Sequence, residues 1–388
     1  MANMRTKEEI TNLAERNRII DTIISIIEEK NRFLLLGHQQ PDEDCISSLV
    51  SMALLIRKFN KKVAISVKEN LPDQISYLDN ICSYNNIELT QEALDGMDPP
   101  DAIFVLDTPK PDQISADPAI LELIHSGTVP VAEIDHHLST DALLIGSPSC
   151  SLVTRATSTC ELIALLCCKI AHRPDILKRN GIRELFSRNL VLSMLTGMIG
   201  DTWFGLTVKH PRDRFFYNLY TNRFSDILRE KAHVNTANYV SMTDIFRSLQ
   251  ALSPEERALY QQMLSKSHYH GQIGFLYLDE HESWSMLSNT DYSLFIKVIK
   301  AVTNFLAEKA GRFGVTVFWD EPSTSDLIQF RIRLSKNVTD IDLRKLLDTL
   351  SITDGGGHPG AIGFRFPRTE LADPAAYVQM LLAELETL

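Results

Sequence analysis

The stretch LLLGHQQPDEDCISS, residues 34–48, sets an apolar run directly against His38, Asp42 and Asp44. The run at 32–37 predicts a β-strand, and Pro41 rules out regular helix through the loop that follows. From about Asp44 to Phe59 the apolar residues share one face, so a helix follows that loop. Three candidate ligands within seven residues of a strand end can fold around a cation.

The same arrangement recurs along the chain. DAIFVLDT at 101–108 is a strand closing on Asp107, VPVAEIDHH at 129–137 closes on Asp135, His136 and His137, and the run LVLSMLTGMIG is followed by Asp201 and Thr202. KKVAISV at 61–67 is a further short strand. Helices are predicted over 7–30, up to Ser126, over 158–172 and 182–199, and from about 211 to 230. Short apolar strands separated by helices predict an α/β fold: an N-terminal domain built on a parallel sheet with helices on both faces.

The texture changes after a segment without strand character. Residues 1–232 are expected to form the first domain, 233–265 a helical linker, and 266–388 a smaller C-terminal α/β domain with a mixed sheet. Within the linker, Ser253 followed by Pro254 reads as a helix start. In the second domain strands are predicted at 272–279, 283–288, 314–320 and 327–335, with helices from Tyr292 to Lys309, Asp340 to Leu350 and Pro374 to Leu388. Phe318, Trp319 and Phe330 are expected to pack this domain.

The crevice outside the carboxyl ends of parallel strands is the usual ligand site of such a sheet, so the separated acids and histidines can converge there. Oxygen and imidazole donors without thiolates suit manganese, magnesium, zinc or iron. Two cations sharing a carboxylate neutralise the set better than one and suit phosphoester hydrolysis. Taken singly, each Asp fits a helix cap or turn equally well; four such stations together do not.

Gly355, Gly356 and Gly357 precede His358, and consecutive glycines allow either a tight structural turn or an anion-binding nest of amides. Arg331 and Arg333, two apart on a predicted strand, share a sheet face as candidate phosphate clamps or as a solvated cationic face.

The 388 residues are 44% hydrophobic with a net charge of -11, which opposes attraction to long nucleic acids or anionic lipid. Six cysteines occur without a CxxC pair, and the polar start MANMRTKEEITNLAERN has no apolar stretch of signal-peptide or membrane-span length. A cytoplasmic protein is the expectation, with no membrane partner.

The ordered set His38, Asp42, Asp44; Asp107; Asp135, His136, His137; Asp201, Thr202; and Gly355 to His358 resembles the DHH phosphoesterase superfamily with its C-terminal DHHA1 domain. Within it the chain is most similar to small stand-alone members that degrade very short RNA or dinucleotides and dephosphorylate 3'-phosphoadenosine 5'-phosphate. The resemblance implies two divalent cations, Mn2+ or alternatively Mg2+: His38 and Asp42 would hold one, Asp44, His136 and Asp201 the other, and Asp107 would bridge them. His137 would lie beside the scissile phosphate and Asp135 would orient the histidines. A hydroxide activated by the two metals would attack phosphorus. Ser158 and Thr159 match a family segment that opens a helix. Arg331, Arg333, the three glycines and His358 would bind substrate.

Two positions depart from the family's first motif, which has glycine where this chain has Glu43 and Ser47. The expected substrate is a short RNA, mononucleotide or dinucleotide, and not a long duplex. A cyclic or linear dinucleotide phosphodiesterase, a pyrophosphatase or polyphosphatase, and a non-catalytic nucleotide-binding protein are the alternatives. The native metal, cleavage polarity and oligomeric state, a homodimer included, stay open.

Overall fold

In the computed structural model, which describes residues 5–69, 71–91, 99–138, 142–205, 207–208, 210–231, 239–321, 325–338 and 340–388, the apolar runs pair into two separate sheets. Each sheet belongs to one of two compact units, Met1–Leu249 and Gln250–Leu388.

The first unit holds β1 (Arg32–Leu36), β2 (Lys62–Ser66), β3 (Glu88–Thr90), β4 (Ala102–Leu106), β5 (Val131–Asp135) and β6 (Ser151–Val153). They pair in the order β3-β2-β1-β4-β5-β6, every pairing parallel. Its helices are α1 (Leu13–Glu29), α2 (Glu43–Lys58), α3 (Tyr77–Tyr84), α4 (Pro118–Ser126), α5 (Thr159–Ala171), α6 (Pro174–Arg179), α7 (Arg188–Thr202), α8 (Pro211–Glu230) and α9 (Met242–Leu249). Strand alternation divides the core in two. Phe33, Leu35 and Phe104 pack with α1, α2, α5 and α7, while Leu34, Leu36, Ile103 and Val105 pack with Ile120 of α4 on the opposite face. The expected parallel sheet covered on both faces is therefore present.

The strand order reverses beside β1, which lies between β2 and β4. The carboxyl ends of β1, β4 and β5 thus line one edge of the sheet, and His38, Asp107 and Asp135 lie at or just beyond those ends. α2 is buried along nearly its whole length, from Asp44 to Ile56. It meets α7 closely because Gly197 and Gly200 lack side chains: a Cβ on Gly200 would come within 2.7 Å of the Glu43 Cβ.

Two helix starts in the first unit differ from the sequence reading, and in the second unit the helix expected from Asp340 begins at Arg344. α1 begins at Leu13 and not at 7, because Asn12 Oδ1 accepts the N–H groups of Ala14 and Glu15 at 2.9 and 3.3 Å. The residues before it form an extended arm: Lys7 N–H donates to Ala142 O at 2.9 Å, Leu144 N–H to Arg5 O at 2.8 Å and Ile10 N–H to Val153 O at 3.2 Å. α7 begins at Arg188 and not at 182, and runs on to Thr202, which puts Asp201 in its last turn. Residues 233–238, at the start of the expected linker, lie outside the described residues. Ile245 and Leu249 of α9 are buried in the core of the first unit.

The second unit comprises α10 (Pro254–Ser265), β7 (His268–His270), β8 (Ile273–Tyr277), α11 (Glu280–Leu287), α12 (Tyr292–Ala310), β9 (Phe313–Trp319), β10 (Leu327–Leu334), α13 (Arg344–Thr349), β11 (Gly355–His358), β12 (Ala361–Pro367) and α14 (Pro374–Thr387). The sheet order is β11-β12-β10-β9-β8-β7, with β8 and β9 parallel and the other pairs antiparallel, so the sheet is mixed as expected. Phe318 and Phe330 are fully buried, and Trp319 packs under the Arg368 guanidinium at 4.7 Å.

Residues 283–288, expected as a strand, lie in α11 and the residue just after it. Asp279 accepts the Glu282 N–H at 2.8 Å and Glu282 returns to the Asp279 N–H at 3.2 Å, a reciprocal cap that commits the segment to helix. The glycine motif also differs from a simple turn: Gly355–His358 is an edge strand paired to β12, with the turn at Pro359 and Gly360.

Candidate functional site

Asp42 opens α2. Its Oδ1 accepts the N–H groups of Asp44 and Cys45, each at 3.1 Å, so the capping role open to this residue is realised. This fixes Asp44 one residue into the helix, pointing to the start of α5. There the Thr159 N–H donates to Asp44 Oδ2 at 2.6 Å and the Cys160 N–H to Oδ1 at 3.1 Å. Ser158 caps α5 by accepting the Glu161 N–H at 3.1 Å, which sets that start in place.

Asp107 leaves β4 in the left-handed region, φ +52°, a conformation that Asp tolerates better than most residues. The turn aims its carboxylate at three imidazoles. His38 Nε2 lies 3.8 Å from Oδ2, His136 Nε2 3.5 Å from Oδ1, and His137 Nδ1 3.7 Å from Oδ1. The Thr159 hydroxyl donates to the same Oδ1 at 2.9 Å.

The histidines are oriented by their other nitrogens. His38 Nδ1 faces Gln39 O at 2.7 Å and His136 Nδ1 faces Ala156 O at 3.4 Å, leaving each Nε2 for the cluster. His38 Nε2 is also 3.9 Å from Asp42 Oδ1, and His136 Nε2 is 3.8 Å from Asp201 Oδ2. Asp44, His136 and Asp201 offer donor atoms that all lie within 4.8 Å of one another, as do Asp107, His136 and His137, and as do His38, Cys45 and Asp107. The structure therefore brings all of His38, Asp42, Asp44, Asp107, His136, His137 and Asp201 into one place at the sheet edge.

Donor separations of 3.5 to 3.9 Å suit atoms that each bind a common cation at about 2.0–2.2 Å. The chemistry of the set agrees. Four carboxylates, from Asp42, Asp44, Asp107 and Asp201, converge with His38, His136 and His137, and two divalent cations would neutralise four carboxylates beside neutral imidazoles.

Crowding these groups together shifts their protonation equilibria. Burial, then the charges of Asp107 and Asp201, pushes the Asp44 carboxyl well above its ordinary range. Burial also pushes Asp201 up to about 7, against the pull of His136. For His136 burial opposes protonation, but the hydrogen bond to Asp107 and the charges of Asp201, Asp107 and Asp44 prevail and raise it.

Cys45 is a departure from the expectation of a site without sulfur. Its thiol fits because Gly37 has no side chain; a Cβ there would collide with the sulfur. Burial pushes that thiol up to about 11, against the nearby His38.

Asp135 sits behind the cluster. Its Oδ1 receives His137 Nδ1 at 2.7 Å, and its Oδ2 is held by the Lys7 ammonium. Burial pushes its carboxyl up, but the hydrogen bond and charge of His137, with the charges of Lys7 and His136, outweigh that and hold it below the usual carboxylate range.

The second unit carries a cavity of about 310 Å³ lined by Arg331, Arg333, Gly356, Gly357 and His358, together with Lys300 and Thr303 of α12. Arg331 and Arg333 share the face of β10 opposite the buried Ile328, Phe330 and Ile332. α12 rides close on this face because Gly274 and Gly314 lack side chains; a Cβ on Gly274 would come within 2.8 Å of Leu306 O. Burial lowers Arg331 and, together with repulsion from Arg331, lowers Arg333 to about 10. Gly355 does not line the cavity; its Cβ position is filled by Phe364 at 2.6 Å.

Lys7, Cys45, Lys300 and Thr303 are absent from the sequence reading. Cys45 is placed by its near neighbours Gly37 and Asp42, and Lys7 by partners distant in sequence.

Residues 32–198 match the family model described as the DHH family, N-terminal domain. The match falls within the first of the two units, Met1–Leu249. The fold of the chain is shared with an exopolyphosphatase-related protein from Bacteroides fragilis, 19% identical, with 98% of each chain covered and a TM-score of 0.62. RecJ from Thermus thermophilus in complex with Mn2+ is similar at 14% identity over 98% of this chain and 56% of that one, with a TM-score of 0.45. A putative family II inorganic pyrophosphatase from Methanococcus jannaschii is similar at 16% identity over 88% of this chain and 97% of that one, with a TM-score of 0.40. No curated protein matches the sequence. No helix among the described residues is long and apolar enough to cross a membrane.

Proposed function

We propose that the protein is a metal-dependent phosphoesterase that hydrolyses short oligoribonucleotides, 3'-phosphoadenosine 5'-phosphate, or both. The observation that carries this reading is Asp107, whose carboxylate lies within 4 Å of a nitrogen on each of His38, His136 and His137.

His38, Asp42 and Asp107 would hold one cation, and Asp44, His136, Asp201 and Asp107 the other. When bound, the pair lowers the pKa of water and neutralises charge on a phosphoryl group. The protein's own part is orientation. Thr159 steadies Asp107, the α5 amides steady Asp44, and Asp135 occupies His137 Nδ1. The remaining ring nitrogen of His137, Nε2, would then face a phosphoryl oxygen and, with the ring as imidazolium, donate to it where charge builds in the transition state.

Short substrates are supported by the second unit's cavity, whose volume of about 310 Å³ lies at the low end for ligand pockets and whose lining includes three basic side chains. Arg331, Arg333 and Lys300 would take a terminal phosphate there, beside Gly356, Gly357 and His358. The net charge of -11 disfavours long polynucleotides.

The test is purified protein with Mn2+ and, separately, Mg2+, offered RNAs of graded length, 3'-phosphoadenosine 5'-phosphate, linear pApA, a cyclic dinucleotide and pyrophosphate. Turnover of the short RNAs or the bisphosphate, falling with length, is expected. Turnover confined to pyrophosphate, or to the cyclic dinucleotide, would replace this reading with the corresponding alternative.

A further inference from the structure

The amino-terminal arm ends its course over the sheet by burying a lysine behind the DHH motif. Lys7 is 6% exposed, and its ammonium has three oxygen partners. It donates to Thr108 O at 2.6 Å, pairs with Glu133 Oε1 at 2.7 Å, and holds Asp135 Oδ2. Glu133 and Asp135 are two apart on β5 and point to the same side of the sheet, so an ammonium between them joins both.

Each partner leads to the cluster. Thr108 follows Asp107, whose left-handed turn determines where the bridging carboxylate points. Asp135 has two oxygens, and Lys7 occupies one while His137 Nδ1 occupies the other at 2.7 Å. A carboxylate gripped at Oδ2 cannot rotate away from the imidazole at Oδ1. Glu133 is tied down in turn, its Oε2 accepting the N–H groups of Ile145 and Gly146 at 2.9 and 3.0 Å.

We propose that Lys7 is a positioning residue of the reaction centre, locking Asp135 and through it the orientation of His137. The inference rests on the reading of His137 as the group facing the phosphate. It assigns the arm around residues 5–10 a part in catalysis, since backbone bonds from Arg5, Lys7 and Ile10 to 142–153 hold the arm in place.

A bulk structural role and a positioning role separate in their readouts. Lys7→Met retains the length and apolar volume of the stem and removes the ammonium. With Mn2+ and a short RNA, it is expected to lower kcat by about a hundredfold, the scale of one misplaced acid–base group, with KM and Mn2+ affinity by calorimetry changed less than about threefold. The His137 ring signals in a long-range ¹H–¹⁵N spectrum, assigned with His137→Gln, should shift, because the partner of Nδ1 is no longer fixed. Methylammonium should restore part of the kcat of Lys7→Ala.

If Lys7→Met does not fold, Lys7→Met/Glu133→Gln removes one charge of each sign and takes its place, with the same kcat and ring signals expected. An unchanged kcat, an equal loss of Mn2+ binding, or unchanged His137 ring signals overturns the proposal. Absence of any phosphoester turnover by the unaltered protein would instead remove the phosphoesterase reading, while the ring spectrum still decides whether Lys7 governs His137.

Discussion

The Thr159 amide donates to Asp44 Oδ2 across 2.6 Å, and the hydroxyl of the same residue donates to Asp107 Oδ1 across 2.9 Å. One helix start therefore fixes two carboxylates that stand 63 residues apart in the chain (107 − 44), one from the first turn of α2 and one from the end of β4. Free N–H groups at a helix N-terminus favour negative charge, so α5 offsets part of the cost of burying Asp44. It does not offset all of it, since Asp44 still titrates well above its ordinary range.

Cation binding should therefore displace protons. Asp201 titrates near 7 without metal, against an ordinary value of 3.8, so below pH 7 the cation-free site is partly protonated. Cation affinity is expected to rise with pH through about 7, and calorimetry in buffers of different ionisation enthalpy should record proton release at about pH 6.5. The stability contribution has the opposite sign without metal. A carboxyl whose folded pKa is raised stabilises fully below about pH 4 and loses that contribution as pH rises through about 7. A pH-independent Mn2+ affinity between about pH 6 and 8 would contradict this.

Gly197→Ala should uncouple the site from the fold. A Cβ there would stand 2.5 Å from Asp44 Oδ1 and would also strike the Cys160 sulfur, both of them buried side chains. A cost of about 1–3 kcal/mol is expected from urea denaturation, together with Mn2+ affinity weakened at least about tenfold as Asp44 shifts. Normal Mn2+ affinity in this variant would show that Asp44 is not a ligand.

Asp107→Asn separates the bridge from the backbone. Asparagine tolerates the left-handed region and can still accept from Thr159, so folding should be preserved. On the proposed two-metal reading, loss of the Asp107 carboxylate should reduce bound Mn2+ from two per chain to at most one and lower hydrolysis about a thousandfold or more. Asp107→Val carries the same chemical loss plus about 1–3 kcal/mol of strain at φ +52°. Equal stabilities for the two variants would count against strain at this position.

The convergence of His38, Asp107, His136 and His137 was legible in sequence because each follows an apolar strand, and parallel strands deliver their carboxyl ends to one edge. What was illegible depends on chain-distant partners. Lys7 reads as one charge in a polar leader, and its burial is decided by an acid 128 residues away. Residues 283–288 are too short for periodicity to separate helix from strand. The deciding signal lay just upstream in Asp279 and Glu282, a cap pattern that local hydrophobicity ignores. The glycines at 355–357 permit turn, nest or strand alike, and only pairing with β12 selects the strand.

Arg333 tests whether the second unit's cavity is built for an anion. Burial and the neighbouring Arg331 lower its pKa to about 10, so the folded protein bears a cost for keeping that charge there. Such a cost is maintained where a ligand needs the charge, and removing it should then trade stability against binding. Arg333→Met is expected to raise resistance to urea by up to about 1 kcal/mol and to raise KM for a phosphate-terminated dinucleotide by about tenfold to a hundredfold. Hydrolysis of bis-p-nitrophenyl phosphate, which has no terminal phosphate to place in the cavity, should keep its kcat. Lys300→Met, on the facing helix, should raise the dinucleotide KM in the same direction by a smaller factor, because an ammonium makes a less directional contact than a guanidinium fork. An Arg333→Met variant with unaltered KM and lowered stability would mean that the arginine pair serves the fold and that the anion is held elsewhere.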